Sequence, residues 1–160
     1  MKRFALSAAM ILVTLIPATT PAGDGNEWRL LLNPEVMEGH RLPTGTRVRL
    51  DDAGNLDVCF LGLDTELEGH LCRGQGHGYM TGFHPNGRLR LCWLKNPELI
   101  QDIPCRKATF FNDAFGPTVG VEFYPDGSLA GCKLDRDITV EGREIKRGER
   151  VEFDRNRNLK

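Results

Sequence analysis

The chain has 160 residues, 40% of them hydrophobic, with 21 Lys and Arg against 22 Asp and Glu for a formal net charge of −1. That length suits one domain, and charges of both signs spread along it exclude the basic footprint of a nucleic-acid or anionic-membrane binder. Beyond the N-terminal segment, no stretch approaches the ~20 apolar residues that a membrane-crossing helix needs.

Residues 1–22 read as a secretory signal. Lys2 and Arg3 supply the positive start. Phe4 to Ile16 is apolar except for Ser7 and Thr14, and small residues follow, with Thr20 and Ala22 suited to the −3 and −1 pockets of a signal peptidase. Thirteen residues are too few to span a hydrocarbon core of ~30 Å as a helix. Cleavage leaves residues 23–160 as a single domain, with 19 basic and 22 acidic residues and a net charge of −3. The predicted location is periplasmic or extracellular.

From residue 46 onward the chain shows a repeated pattern. An apolar anchor is followed four residues later by glycine and six later by leucine: Leu50, Gly54, Leu56; Phe83, Gly87, Leu89; Phe123, Gly127, Leu129. Phe153 and Leu159 form a fourth copy with Arg157 in the glycine position. Cysteine falls nine residues after the first three anchors, at Cys59, Cys92 and Cys132. Apolar and polar residues alternate ahead of each anchor, as in Val119, Val121 and Phe123, which predicts a strand with one buried face. Pro85-Asn86-Gly87, Pro125-Asp126-Gly127 and Asp52-Ala53-Gly54 are turn chemistry: proline presets φ, and glycine takes positive φ without penalty. Strand, turn and strand make a β-hairpin.

Between these hairpins, Met37-Glu38-Gly39, Leu67-Glu68-Gly69 and Val140-Glu141-Gly142 predict further tight turns. No segment after residue 26 has a sustained helical period. The predicted fold is therefore all-β, an antiparallel meander of repeated hairpins with about eight strands, forming a curled single sheet or a small closed barrel. Closure would come from the half-units at either end, since Trp28 to Glu35 resembles Trp93 to Glu98 and the chain ends on a first half.

Five cysteines in an exported chain predict disulfides with at least one thiol left over. Cys59 and Cys72 are separated by 13 residues, as are Cys92 and Cys105, so these four are the disulfide candidates and Cys132 the free thiol. Cys72–Cys105 is the main competing pair, because equivalent positions of successive hairpins can be adjacent.

The interval from Phe83 to Phe123 is 40 residues against 33 from Leu50 to Phe83, and the extra seven fall around 110–117. Insertions in repeats map to loops and often to binding faces. Phe110, Phe111 and Phe115 are accordingly the candidate contact patch for a protein or envelope partner, or else a plug folded over the sheet. His70, Cys72 and His77 are the only grouping with metal-ligating chemistry, and their spacing matches no established zinc pattern. The remaining histidines, His40 and His84, read as turn and surface residues. Ser128 is the only serine beyond the signal, and it lies in a turn. No catalytic residue and no cofactor emerges, and copied positions mark structural slots, whereas catalytic residues are normally unique.

The segments Phe83-His84-Pro85-Asn86-Gly87 and Phe123-Tyr124-Pro125-Asp126-Gly127 give residues 46–160 a pattern that resembles the bacterial variants of MORN-type repeats. The resemblance implies an extended or curled β-sheet used for binding or scaffolding, with no catalytic residues to carry over. A small envelope enzyme or metal-binding protein using His70, Cys72 and His77 is the alternative expectation.

Overall fold

The computed structural model describes residues 27–75, 78–109 and 120–160. These form sixteen short strands and no helix. Eight of them make one antiparallel sheet in which spatial order follows chain order: β1 (Arg29–Leu30), β4 (Arg47–Leu50), β5 (Leu56–Phe60), β8 (Met80–Phe83), β9 (Leu89–Cys92), β12 (Val121–Phe123), β13 (Leu129–Lys133) and β16 (Arg150–Glu152). The other eight pair as four side hairpins: β2 (Glu35–Met37) with β3 (His40–Leu42), β6 (Thr65–Leu67) with β7 (His70–Cys72), β10 (Glu98–Ile100) with β11 (Ile103–Cys105), and β14 (Ile138–Val140) with β15 (Arg143–Ile145).

The sheet is not a closed barrel. Strands β1 and β16 are its two edges and do not pair with each other. Closure is one way to bury an apolar sheet face, and here the side hairpins cover that face instead. Leu42, Leu67, Ile100 and Ile145 from the side hairpins share one buried cluster with Val48, Leu56, Leu89, Val121, Leu129 and Val151 of the sheet. The eight strands expected for the whole chain are thus the eight of the main sheet, and the side hairpins add eight more.

A row across the buried face of the sheet consists of Val48, Cys59, Thr81, Cys92, Val121, Cys132 and Val151, none more than 2% exposed. Thr81 is the polar member, and its hydroxyl has no hydrogen-bond partner among the described residues.

The long turns share one construction. In each, the residue after the anchor and the residue four further on close the loop: Asp51 N–H donates to Asn55 O, His84 N–H to Arg88 O, Tyr124 N–H to Ser128 O and Asp154 N–H to Asn158 O. Gly54, Gly87 and Gly127 take φ of 85°, 77° and 85° there, and Arg157 takes 67°. Just ahead of each of the first three turns the register slips by one residue, between Arg49 and Leu50, Gly82 and Phe83, and Glu122 and Phe123. Such a bulge disrupts the ladder and orphans a backbone group.

Side chains from the side hairpins accept from the amide that opens each return strand. The Leu56 amide donates to Glu38 Oε1 at 2.9 Å, Leu89 to Glu68 Oε1 at 2.9 Å, Leu129 to Gln101 Oε1 at 3.1 Å and Leu159 to Glu141 Oε1 at 3.4 Å. The four acceptors occupy the first of two positive-φ positions in the side-hairpin turns, with φ of 49° to 50°. Two consecutive positive-φ residues match the right-handed twist of a two-residue hairpin. The acceptors therefore fix the angle of each side hairpin against the next long turn.

The disulfides differ from the expected pairs. Cys72 is bonded to Cys92 and Cys105 to Cys132, while Cys59 is the free cysteine and is fully buried. Equal sequence spacing within a hairpin pair was the wrong guide. The last residue of each side hairpin lies beside the chain that follows the next long hairpin, as the Cys72–Leu94 and Cys105–Leu134 bridges show. Its sulfur therefore meets the cysteine of that neighbouring strand, at Cα–Cα distances of 5.6 and 5.7 Å. The position equivalent to Cys72 and Cys105 in the first side hairpin is Leu42, so Cys59 has no sulfur to meet.

Candidate functional site

Residues 1–22, read from sequence as a signal, His77 and the phenylalanines Phe110, Phe111 and Phe115 lie outside the described residues. The surroundings of the insertion are described. Its N-terminal root is held where the Ala108 amide donates to Leu94 O and Arg73 Nη1 donates to Ala108 O at 2.8 Å. The Arg73 guanidinium in turn lies 5.0 Å from the centre of the Tyr79 ring, which meets Trp93 edge-on at 5.6 Å. Trp93 is anchored by donating to Met80 O. The described chain ahead of the insertion is thus bonded to Arg73, whose guanidinium lies over Tyr79 beside Trp93.

The His70 and Cys72 grouping is engaged otherwise. The Cys72 sulfur is consumed in the bond to Cys92, so it offers no thiolate. His70 Nδ1 donates to Glu98 Oε1 at 2.6 Å, and its ring stacks on Phe123 with centroids 4.8 Å apart. His40 and His84 are likewise structural. His40 lies against Phe83 at 5.1 Å and bonds the Gly87 carbonyl, while His84 bonds the Phe123 carbonyl. Sequence reading placed these histidines on the surface and missed that they bind one hairpin to the next. The signal was there, since His40 and His70 both follow a Glu-Gly step.

Ser128 is a turn residue, donating through its hydroxyl to Asp126. Cys132 is not a thiol. The one thiol, on Cys59, is pushed up to about 12 by burial, which removes nucleophilic character at neutral pH.

Two surface features remain. Large aliphatic side chains are exposed at the middle position of successive side hairpins: Val36 at 70%, Leu71 at 36% and Leu99 at 57%. Each points away from the buried cluster because its two strand neighbours point toward it. The second feature is a cleft between the third and fourth side hairpins, floored by Phe153 and Leu129. No helix among the described residues is long and apolar enough to cross a membrane.

The fold and surfaces define an antiparallel, disulfide-bonded all-β protein. No family model, curated protein or solved structure matches the chain.

Proposed function

We propose that this protein is an exported, non-enzymatic module built from a tandem β-hairpin unit, and that it binds a protein or envelope partner. The carrying observation is an exposed aliphatic residue in the central cross-strand pair of three successive side hairpins: Val36 opposite Arg41, Leu71 opposite Glu66 and Leu99 opposite Pro104. A soluble surface rarely repeats such exposure without a use for it. Three further facts support the reading. The same turn hydrogen bonds and the same carboxylate or amide acceptor recur at each long hairpin. Two disulfides suit an oxidising compartment. The last described residues before the phenylalanine insertion include Ala108, whose carbonyl accepts from Arg73. The MORN-type resemblance agrees with a binding or scaffolding role.

Replacing Phe110, Phe111 and Phe115 by serine tests the patch, with V36S/L71S/L99S as a second arm. Both variants should keep the two disulfides and lose the partner that the parent protein captures from an envelope extract. A folded phenylalanine variant with undiminished capture would remove Phe110–Phe115 from the proposal.

A further inference from the structure

Two turns depart from the pattern set by their counterparts, and both departures border one cleft. Three of the four side-hairpin turns end on glycine, Gly39, Gly69 and Gly142, at φ of 85°, 86° and 79°. The third ends on Asp102 at 71°. Three of the four long turns place Gly54, Gly87 and Gly127 in the left-handed region, and the fourth places Arg157 there at 67°. A side chain at such a φ costs free energy that glycine avoids, and strain of this kind concentrates at ligand sites. Neither charge is consumed locally. Asp102 has no ion pair among the described residues, and Arg157 has only a long bond, 3.4 Å, from Nη2 to the Gln101 carbonyl.

A third departure creates the space. After the first two side-hairpin turns, His40 and His70 cover Phe83 and Phe123 with their rings. The equivalent residue in the third hairpin is Ile103, which has no ring to lay over Phe153. What results is a cleft of about 230 Å³ with an apolar floor of Ile103, Leu129, Val140 and Phe153, and with Asp102 and Arg157 at its rim. That volume lies below the roughly 300–1,000 Å³ typical of sites for larger ligands. It fits one aliphatic group.

We propose that this cleft binds a free aliphatic α-amino acid of leucine size. Its side chain occupies the apolar floor, its carboxylate meets the Arg157 guanidinium in the fork geometry arginine provides, and its ammonium meets the Asp102 carboxylate. An internal peptide residue carries neither terminal charge and would leave both rim residues unpaired. The site is independent of the Phe110–Phe115 patch.

The test is an NMR titration of the full exported protein with L-leucine, 4-methylpentanoate and 3-methylbutylamine, the last two lacking the ammonium and the carboxylate respectively. L-leucine should shift the amides of residues 101–103, 129, 153 and 157, and should bind roughly ten-fold more tightly than either analogue. D102G and R157G each restore the glycine found in the counterpart turns. Each should weaken L-leucine binding by roughly ten-fold and raise the melting temperature, because strain is removed along with the charge. D102N and R157K, which keep the side-chain bulk, should weaken binding without raising the melting temperature. Absence of shifts at these residues, equal affinity for 4-methylpentanoate, or unchanged affinity in either glycine variant would overturn the proposal.

Discussion

At the scale of single residues, the acceptors Glu38, Glu68, Gln101 and Glu141 do most to join one hairpin to the next. Glu68 is the best test, because it accepts the Leu89 amide and also pairs with Arg88. Glu68→Ala should lower the unfolding free energy by about 1–2 kcal/mol, measured by urea denaturation, as expected for an amide left without its charged acceptor. Glu68→Gln should cost less, since Gln101 performs the same task through an amide oxygen. Turn aspartates set the acid limit. Backbone and side-chain donation from Asn55 holds Asp51 below the usual 3.8. The Ser128 hydroxyl does so for Asp126, and the Asn158 amide group for Asp154. A carboxyl lowered in the folded state contributes stability above its unfolded value and loses it on acidification. The urea midpoint should therefore fall as pH drops below about 4, and a D51N/D126N/D154N variant should show a shallower fall. Cys59 should resist iodoacetamide in the native protein and react once after denaturation. The Glu-Gly steps were legible as turns from sequence. Their acceptor role was not, because the amides they serve lie 18 to 21 residues further along the chain.

Among the elements, each side hairpin belongs in space to the following long hairpin, and this one fact explains the disulfides. Cysteine spacing reports distance along the chain, and two different neighbours were open to Cys72. The actual bonds span 20 and 27 residues, the larger because the insertion lies inside it. Reducing either bond should cost about 3 kcal/mol on the chain-entropy model, read as a lower melting temperature in C72A/C92A and in C105A/C132A. The same logic places Leu42 opposite Cys59, since Leu42 closes its side hairpin as Cys72 and Cys105 close theirs. L42C should form a third disulfide and abolish the remaining thiol, measured by thiol titration under denaturing conditions. The buried row offers an opposite test. Thr81 carries an unpartnered hydroxyl where its neighbours are apolar. Thr81→Val should stabilise by about 1 kcal/mol, because desolvation of that hydroxyl is not repaid.

Over the whole molecule, alternation and turn chemistry made the main sheet legible, down to the anchors, the glycines and the buried cysteine slots. The side hairpins were not legible as paired strands. Each strand is only three residues long, too few for a clear period. Their presence also decides the question of closure, because they cover the apolar face that a barrel would otherwise have enclosed. The two sheet edges, β1 and β16, stay apart. The cleft beside Phe153 was invisible in sequence for a related reason: it depends on which side hairpin covers which anchor. Successive hairpins are locked forward, the second side hairpin to the strand bearing Cys92 and the third to the strand bearing Cys132. A non-reducing peptide mass map of protein exported under its own N-terminal segment tests this directly. The expected result is the cross-linked pairs Cys72–Cys92 and Cys105–Cys132, with Cys59 as the single alkylated thiol. A disulfide that includes Cys59, or five free thiols, would contradict it.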